Sequence, residues 1–131
     1  MLDHVSITVS DLATAERFYD AVLAALGVTK VGSDHAAAWI GYGERCDAGH
    51  PDRSYLSIRL GPRPEDAPRR HWCFKAPDRA AVEAFWHAGL AHGGRDGGAA
   101  GLRPEYHPSY YAAFLLDPDG NRVEAVCHRA G

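Results

Sequence analysis

Alternation dominates the first residues of the chain. In segment 3–9, apolar Val5, Ile7 and Val9 alternate with His4, Ser6 and Thr8, which predicts a strand with one apolar and one polar face. The period then changes. Ser10-Asp11 offers a helix N-cap, and Ala15, Phe18, Tyr19, Val22, Leu23 and Leu26 follow at i, i+3, i+4, i+7, i+8 and i+11, one apolar stripe of a helix. Gly27 ends that helix where a left-handed residue is wanted. Short strands are expected near 28–32, 36–42 and 54–60, with a loop from Gly43 to Arg53 containing Gly49 and Pro51.

The same plan returns in the second half. Gly61-Pro-Arg-Pro-Glu-Asp-Ala-Pro68 cannot sustain a helix or a central strand and reads as a connector. A strand over 71–76 leads to Asp78 as N-cap, then to a helix with Val82, Phe85, Trp86 and Leu90 on one face, closed by Gly93-Gly94. Two further strands, about 109–116 and 121–128, flank Asp117-Pro118-Asp119-Gly120, which fits a type I turn followed by a left-handed glycine. The likeness is one of residues as well as pattern. At an offset of 67, His4 falls over His71, Asp11 over Asp78, Glu16 over Glu83, Phe18 over Phe85, Leu23 over Leu90 and Gly27 over Gly94. The expected fold is therefore α+β: two βαβββ modules related by a pseudo-twofold axis. Module 1 spans about 1–61, the connector about 61–69 and module 2 about 70–131, all within one domain.

Composition narrows the functional classes. The 131 residues suffice for one core, but a half of about 65 is marginal alone, so the halves are expected to share a core or to pair as a homodimer. A net charge of -3 with scattered basic residues gives no surface for nucleic acid. No run reaches the roughly 18 apolar residues of a membrane span, and the N-terminus has no basic-then-apolar signal. Three cysteines, none in a CxxC pair, make no disulfide framework, so a reducing cytoplasm is the natural expectation.

The chemistry sits on the polar faces. By the period-two rule His4, Ser6 and Thr8 share a face, as do His71, Cys73 and Lys75, and as do Glu124, Val126 and His128. If the two halves close around one concavity, His4, His71 and one carboxylate can meet. Neutral imidazoles and a carboxylate suit zinc, nickel, manganese or ferrous iron and leave positions for water or substrate. Glu124 and His128 lie roughly 13 Å apart along a strand and cannot readily share an ion. A histidine on the polar face of a strand is otherwise usually solvated or hydrogen-bonded, and a polar pocket without metal is the plain alternative.

The strand Leu2-Asp3-His4-Val5, the helix from Asp11-Leu12 to Phe18-Tyr19, the second histidine-led strand at His71 and the ending Phe114-Leu-Leu-Asp-Pro-Asp-Gly-Asn-Arg-Val-Glu124 together resemble the vicinal oxygen chelate superfamily. That group includes glyoxalase I, bleomycin-resistance proteins, fosfomycin thiol transferases and extradiol dioxygenases. The resemblance covers essentially the whole chain. It implies paired modules forming an open, partly closed β-barrel around a concave site, with a metal at His4, His71 and Glu124. One departure matters. Subtracting 67 from Glu124 gives Ser57, where glyoxalase I-like proteins generally carry a fourth ligand, Glu or His. Serine is a poor ligand and a poor base near neutral pH, which argues against standard glyoxalase I chemistry.

The resemblance implies a small metal-dependent lyase, isomerase or transferase whose metal acts as a Lewis acid on an oxygen-chelating substrate. A metal-free protein that sequesters a drug-like or aromatic ligand is the alternative, and a fosfomycin-type thiol transferase is a narrower one. Glu124, His107 and Tyr111 are the candidate catalytic groups. Ser6, Ser57, Cys73, His107 and Tyr110 are the candidate substrate contacts, the segment Arg103-Pro-Glu-Tyr-His-Pro-Ser-Tyr-Tyr111 reading as a pocket rim. Trp39 and Tyr42 are open between pocket and core. His87 and His92 are expected in solvent, and His35 and His50 in turns.

Overall fold

The computed structural model describes residues 1–131. Its elements follow the order β1 (His4–Val9), α1 (Leu12–Ala25), β2 (Lys30–Asp34), β3 (Trp39–Gly43) and β4 (Tyr55–Leu60), then β5 (His71–Lys75), α2 (Arg79–Ala91), β6 (Arg95–Leu102), β7 (Tyr111–Leu116) and β8 (Arg122–Cys127). Both helices begin as their N-caps dictate. The Asp11 carboxylate accepts from the Thr14 N–H at 2.9 Å and Asp78 from that of Ala81 at 2.7 Å, filling donors that a helix start otherwise leaves unpaired.

The two modules form two four-stranded sheets of one topology, β1-β4-β3-β2 and β5-β8-β7-β6. In each, the histidine-led strand lies parallel to the module's last strand, and the other pairings are antiparallel. Neither sheet closes or curls strongly, which corrects the expected barrel. The physical reason is that β1 and β5 are both sheet edges with no ladder between them. The modules meet instead through α1 packed on α2. One buried cluster, including Ile7, Phe18 and Tyr19 from the first module and Phe85, Leu115 and Val123 from the second, runs across both. The halves share a core, as their size requires.

The Asp-Pro-Asp-Gly-Asn turn ties them further. Gly120 is left-handed at φ 88 and its N–H closes the turn onto the Asp117 carbonyl at 2.9 Å. The Asp117 side chain is fully buried and accepts from Tyr19 Oη at 2.7 Å, from the Asp119 and Asn121 N–H groups, and from Asn121 Nδ2. Asp119 accepts from both the backbone and the hydroxyl of Ser10, while Asn121 Nδ2 donates to the Thr8 carbonyl. The turn is a hairpin closure, and it is also the polar latch between modules.

The strand β6 was not localised by residue pattern. Arg-Asp-Gly-Gly-Ala-Ala-Gly-Leu has no alternation, yet it pairs with β7 through two register shifts. Its glycines answer a close approach: a Cβ on Gly97 would stand 3.2 Å from the Phe114 carbonyl, and Gly98 is left-handed at φ 148.

Candidate functional site

Register decides which side chains share the open face of the second sheet. Cys73 pairs with Glu124, Phe114 pairs with Glu124 from the other side, and His71 pairs with Arg122. These residues therefore point one way, away from the core face that α2 covers with Val82 and Phe85. Glu124 is only 2% exposed, so its carboxylate needs partners. Tyr110 Oη donates to Oε1 at 2.6 Å, and His71 Nε2 lies 3.2 Å from Oε2. Loss of hydration and the adjacent Glu124 carboxylate raise the Tyr110 phenol above its ordinary range, so it stays protonated and donates.

Cys73 is the third group at this point. Crowding by neighbouring atoms and then the Glu124 charge push its thiol up to about 12, although the side chain still meets solvent. It is a neutral thiol at physiological pH, unsuited to nucleophilic attack. Around Glu124 opens a cleft of about 350 Å³, with His71, Tyr106, Tyr110, Phe114 and Arg122 among its walls. Aromatic walls with a few placed polar groups are what a small-molecule site requires.

The remaining predicted residues fall elsewhere. Within the chain no three His, Cys, Asp or Glu side chains converge into a set that could hold a metal ion. His71 and Glu124 come together, but His4 sits on the edge strand of the other sheet, with Nδ1 2.6 Å from Asp3 Oδ1. The structure does not bring His4 to His71 and Glu124 within one chain, because the two histidine-led strands are edges of separate sheets. Ser6 and Ser57 are register partners on the first sheet, far from Glu124 in the topology. Ser57 is 2% exposed and its hydroxyl has no partner. Trp39 belongs to this same open face, half-buried with Arg45 over its ring, whereas Tyr42 is core and donates to Asp20 at 2.7 Å.

Tyr111 points the other way from Tyr110. Its hydroxyl donates to Glu83 on α2 at 2.7 Å and Arg79 lies over its ring, so it does not stand beside Glu124. The parity of the strand explains this: Tyr111, Ala113 and Leu115 share the helix-facing side. His107 stands behind Tyr110, ring centroids 5.5 Å apart, with Nε2 2.7 Å from His128 Nδ1. It supports the rim rather than touching Glu124. Phe114 and Arg122 were missed by sequence reasoning, although Arg122 stands two residues before Glu124 and so shares its face by the period-two rule.

With this geometry in hand, comparison with known proteins is decisive about ancestry. Residues 1–125 match the model of the Glyoxalase/Bleomycin resistance protein/Dioxygenase superfamily. The chain belongs to that superfamily. Among solved structures, a glyoxalase/bleomycin resistance protein from Albidiferax ferrireducens is 27% identical with TM-score 0.76, over 95% of this chain and 96% of that one. A putative glyoxalase from Bacillus halodurans is 25% identical with TM-score 0.68, over 96% and 94%. A V278E glyoxalase I mutant from Zea mays, 20% identical with TM-score 0.63, shares the fold over 95% of this chain and 45% of its own. No curated protein matches the chain. The superfamily hosts unlike chemistries on one scaffold, so membership fixes the fold and leaves function to the site.

Proposed function

We propose that this chain is a small-molecule-binding member of the superfamily, of the bleomycin-resistance type, which takes a drug-like or aromatic ligand in the Glu124 cleft without a metal. The observation that carries this reading is the state of Glu124. Both its oxygens already have partners, Tyr110 and His71, and aromatic walls stand beside it. Two potential metal ligands in one chain do not make a resident metal site. Phe114 and Tyr106 would cover an apolar ring, while Glu124 and His71 would orient a polar or cationic group on it. The chain has no helix long and apolar enough to cross a membrane.

A second reading rests on His71 Nε2 and Glu124 Oε2 standing 3.2 Å apart, a separation two ligands of one ion can adopt. A homodimer laying the first sheet of one copy over the second sheet of another would add an exposed His4, giving the metal-dependent enzyme. Ser57 in place of an acidic or basic group then argues against hemithioacetal isomerisation, which needs a base.

Calorimetry of chelator-treated protein against a panel of aromatic, drug-like compounds tests the choice. Binding is expected in the chelator, weakened at least tenfold by Phe114→Ala and by Glu124→Gln. Elemental analysis showing one tightly held divalent ion per chain, lost in His4→Ala, would overturn the metal-free reading in favour of the second.

A further inference from the structure

A second cleft, of about 380 Å³, lies beside the first where the connector crosses the end of the second sheet. Three arginines from three elements line it: Arg63 from the connector, Arg95 from the start of β6 and Arg122 from the start of β8. In a chain of net charge -3 this concentration is local and against the overall sign. We propose that Arg63, Arg95 and Arg122 bind a phosphoryl group, and that the ligand of the Glu124 cleft carries it. The second clause rests on the function proposed above; the first does not.

The guanidinium donors of this cleft are largely unspent. Two carboxylates share the cleft, Asp66 and Asp119. Asp119 is spent on the Ser10 backbone and hydroxyl. Asp66 makes one long contact to Arg122, 3.3 Å, and is 73% exposed at its side chain. Neither Arg63 nor Arg95 forms an ion pair, and Arg122 Nε is buried with no acceptor. Guanidinium groups present parallel N–H pairs that match phosphate oxygens, and three of them favour a dianion over a single carboxylate.

Continuity supplies the link to the first cleft. Leu116 and Arg122 line both, so one ligand can place its phosphoryl group among the arginines and an aromatic body against Phe114.

The test is NMR titration of the arginine Nε–Hε signals with inorganic phosphate, acetate and phenyl phosphate. Phosphate is expected to move the signals of Arg63, Arg95 and Arg122 in a saturable way, acetate much less. Arg63→Gln and Arg95→Gln, both at exposed positions, should each weaken phosphate at least fivefold, with Arg69→Gln, outside both clefts, leaving it unchanged. Glu124→Gln should spare inorganic phosphate, which separates this site from the neighbouring one. Phenyl phosphate should bind at least tenfold tighter than phosphate, and Phe114→Ala should remove that advantage. Equal weakening by Arg69→Gln, or no saturable shift at millimolar phosphate, would overturn the anion site. Saturable phosphate binding with no gain from the phenyl ring would overturn the shared ligand alone.

Discussion

Glu16 shows what a single side chain contributes when several donors meet it. Partial burial raises its pKa, but hydrogen bonds from His35, Lys30 and Ser33 outweigh that and hold the carboxyl at about 2. A folded pKa below the ordinary value of 4.5 adds stability that is present above 4.5 and is lost as pH falls toward 2. Lys30 and His35 are 36% and 52% exposed, so water screens the pair, and the contribution is on the order of 1 kcal/mol. Urea denaturation of Glu16→Gln should therefore show lower stability than wild type at pH 6, with the gap closing between pH 4.5 and 2. A gap that persists at pH 2 would assign the effect to packing. At the site, one residue of offset separates two candidate groups. Tyr110 and Tyr111 are adjacent, and sequence offers no way to fix the parity of a strand whose first residue is uncertain. One residue of register sends Tyr110 to Glu124 and Tyr111 to Glu83.

Elements were legible wherever period and punctuation agreed. The helices announced themselves through an Asp cap, a stripe and a closing glycine, and β1 through clean alternation. The last two strands were bracketed by their turn. The β6 strand was not readable because its residues were chosen for space, not for pattern: Gly97 and Gly98 admit the β7 backbone and the Phe114 ring. His71 with Cys73, and Glu124, were legible as polar faces of two strands, and register brought them together. His4 could not be placed, since the relation between two sheets is set by helix packing and by one turn, neither of which strand periodicity encodes. That turn can be tested. Tyr19→Phe removes one donor from the buried Asp117 and should cost about 1–3 kcal/mol in urea denaturation. An unchanged midpoint would mean that Asp119 and Asn121 suffice to hold the modules.

For the whole molecule, two sheets leave two open faces. The first carries His4, Ser6 and Thr8 exposed, with Arg45 over both Trp39 and Tyr55, and the second carries the Glu124 cleft. Polar faces with large rings at their centre suit association better than isolation, and a stable pair buries roughly 1,600 Å². We expect a homodimer, read by sedimentation equilibrium as twice the chain mass over a wide concentration range. Arg45→Glu, which puts a carboxylate where a guanidinium covers Trp39 and Tyr55, should shift it toward monomer. A concentration-independent monomer would confine the ligand site to one chain and remove the route by which His4 reaches Glu124.

The latch between modules has a consequence in time. Tyr19 and Ser10 find their partners only in residues 117–119, 98 and 109 positions further along the chain. During synthesis the first module leaves the ribosome long before the turn exists, with a phenol and an apolar helix face still unmatched. It must wait, partly assembled, until those residues have been made. The polar contacts that lock the start of α1 therefore form only once residues 117–119 have been made, 98 to 109 positions further along, so a chain stopped short of Asp117 is expected to lose order in α1 as well as in β8.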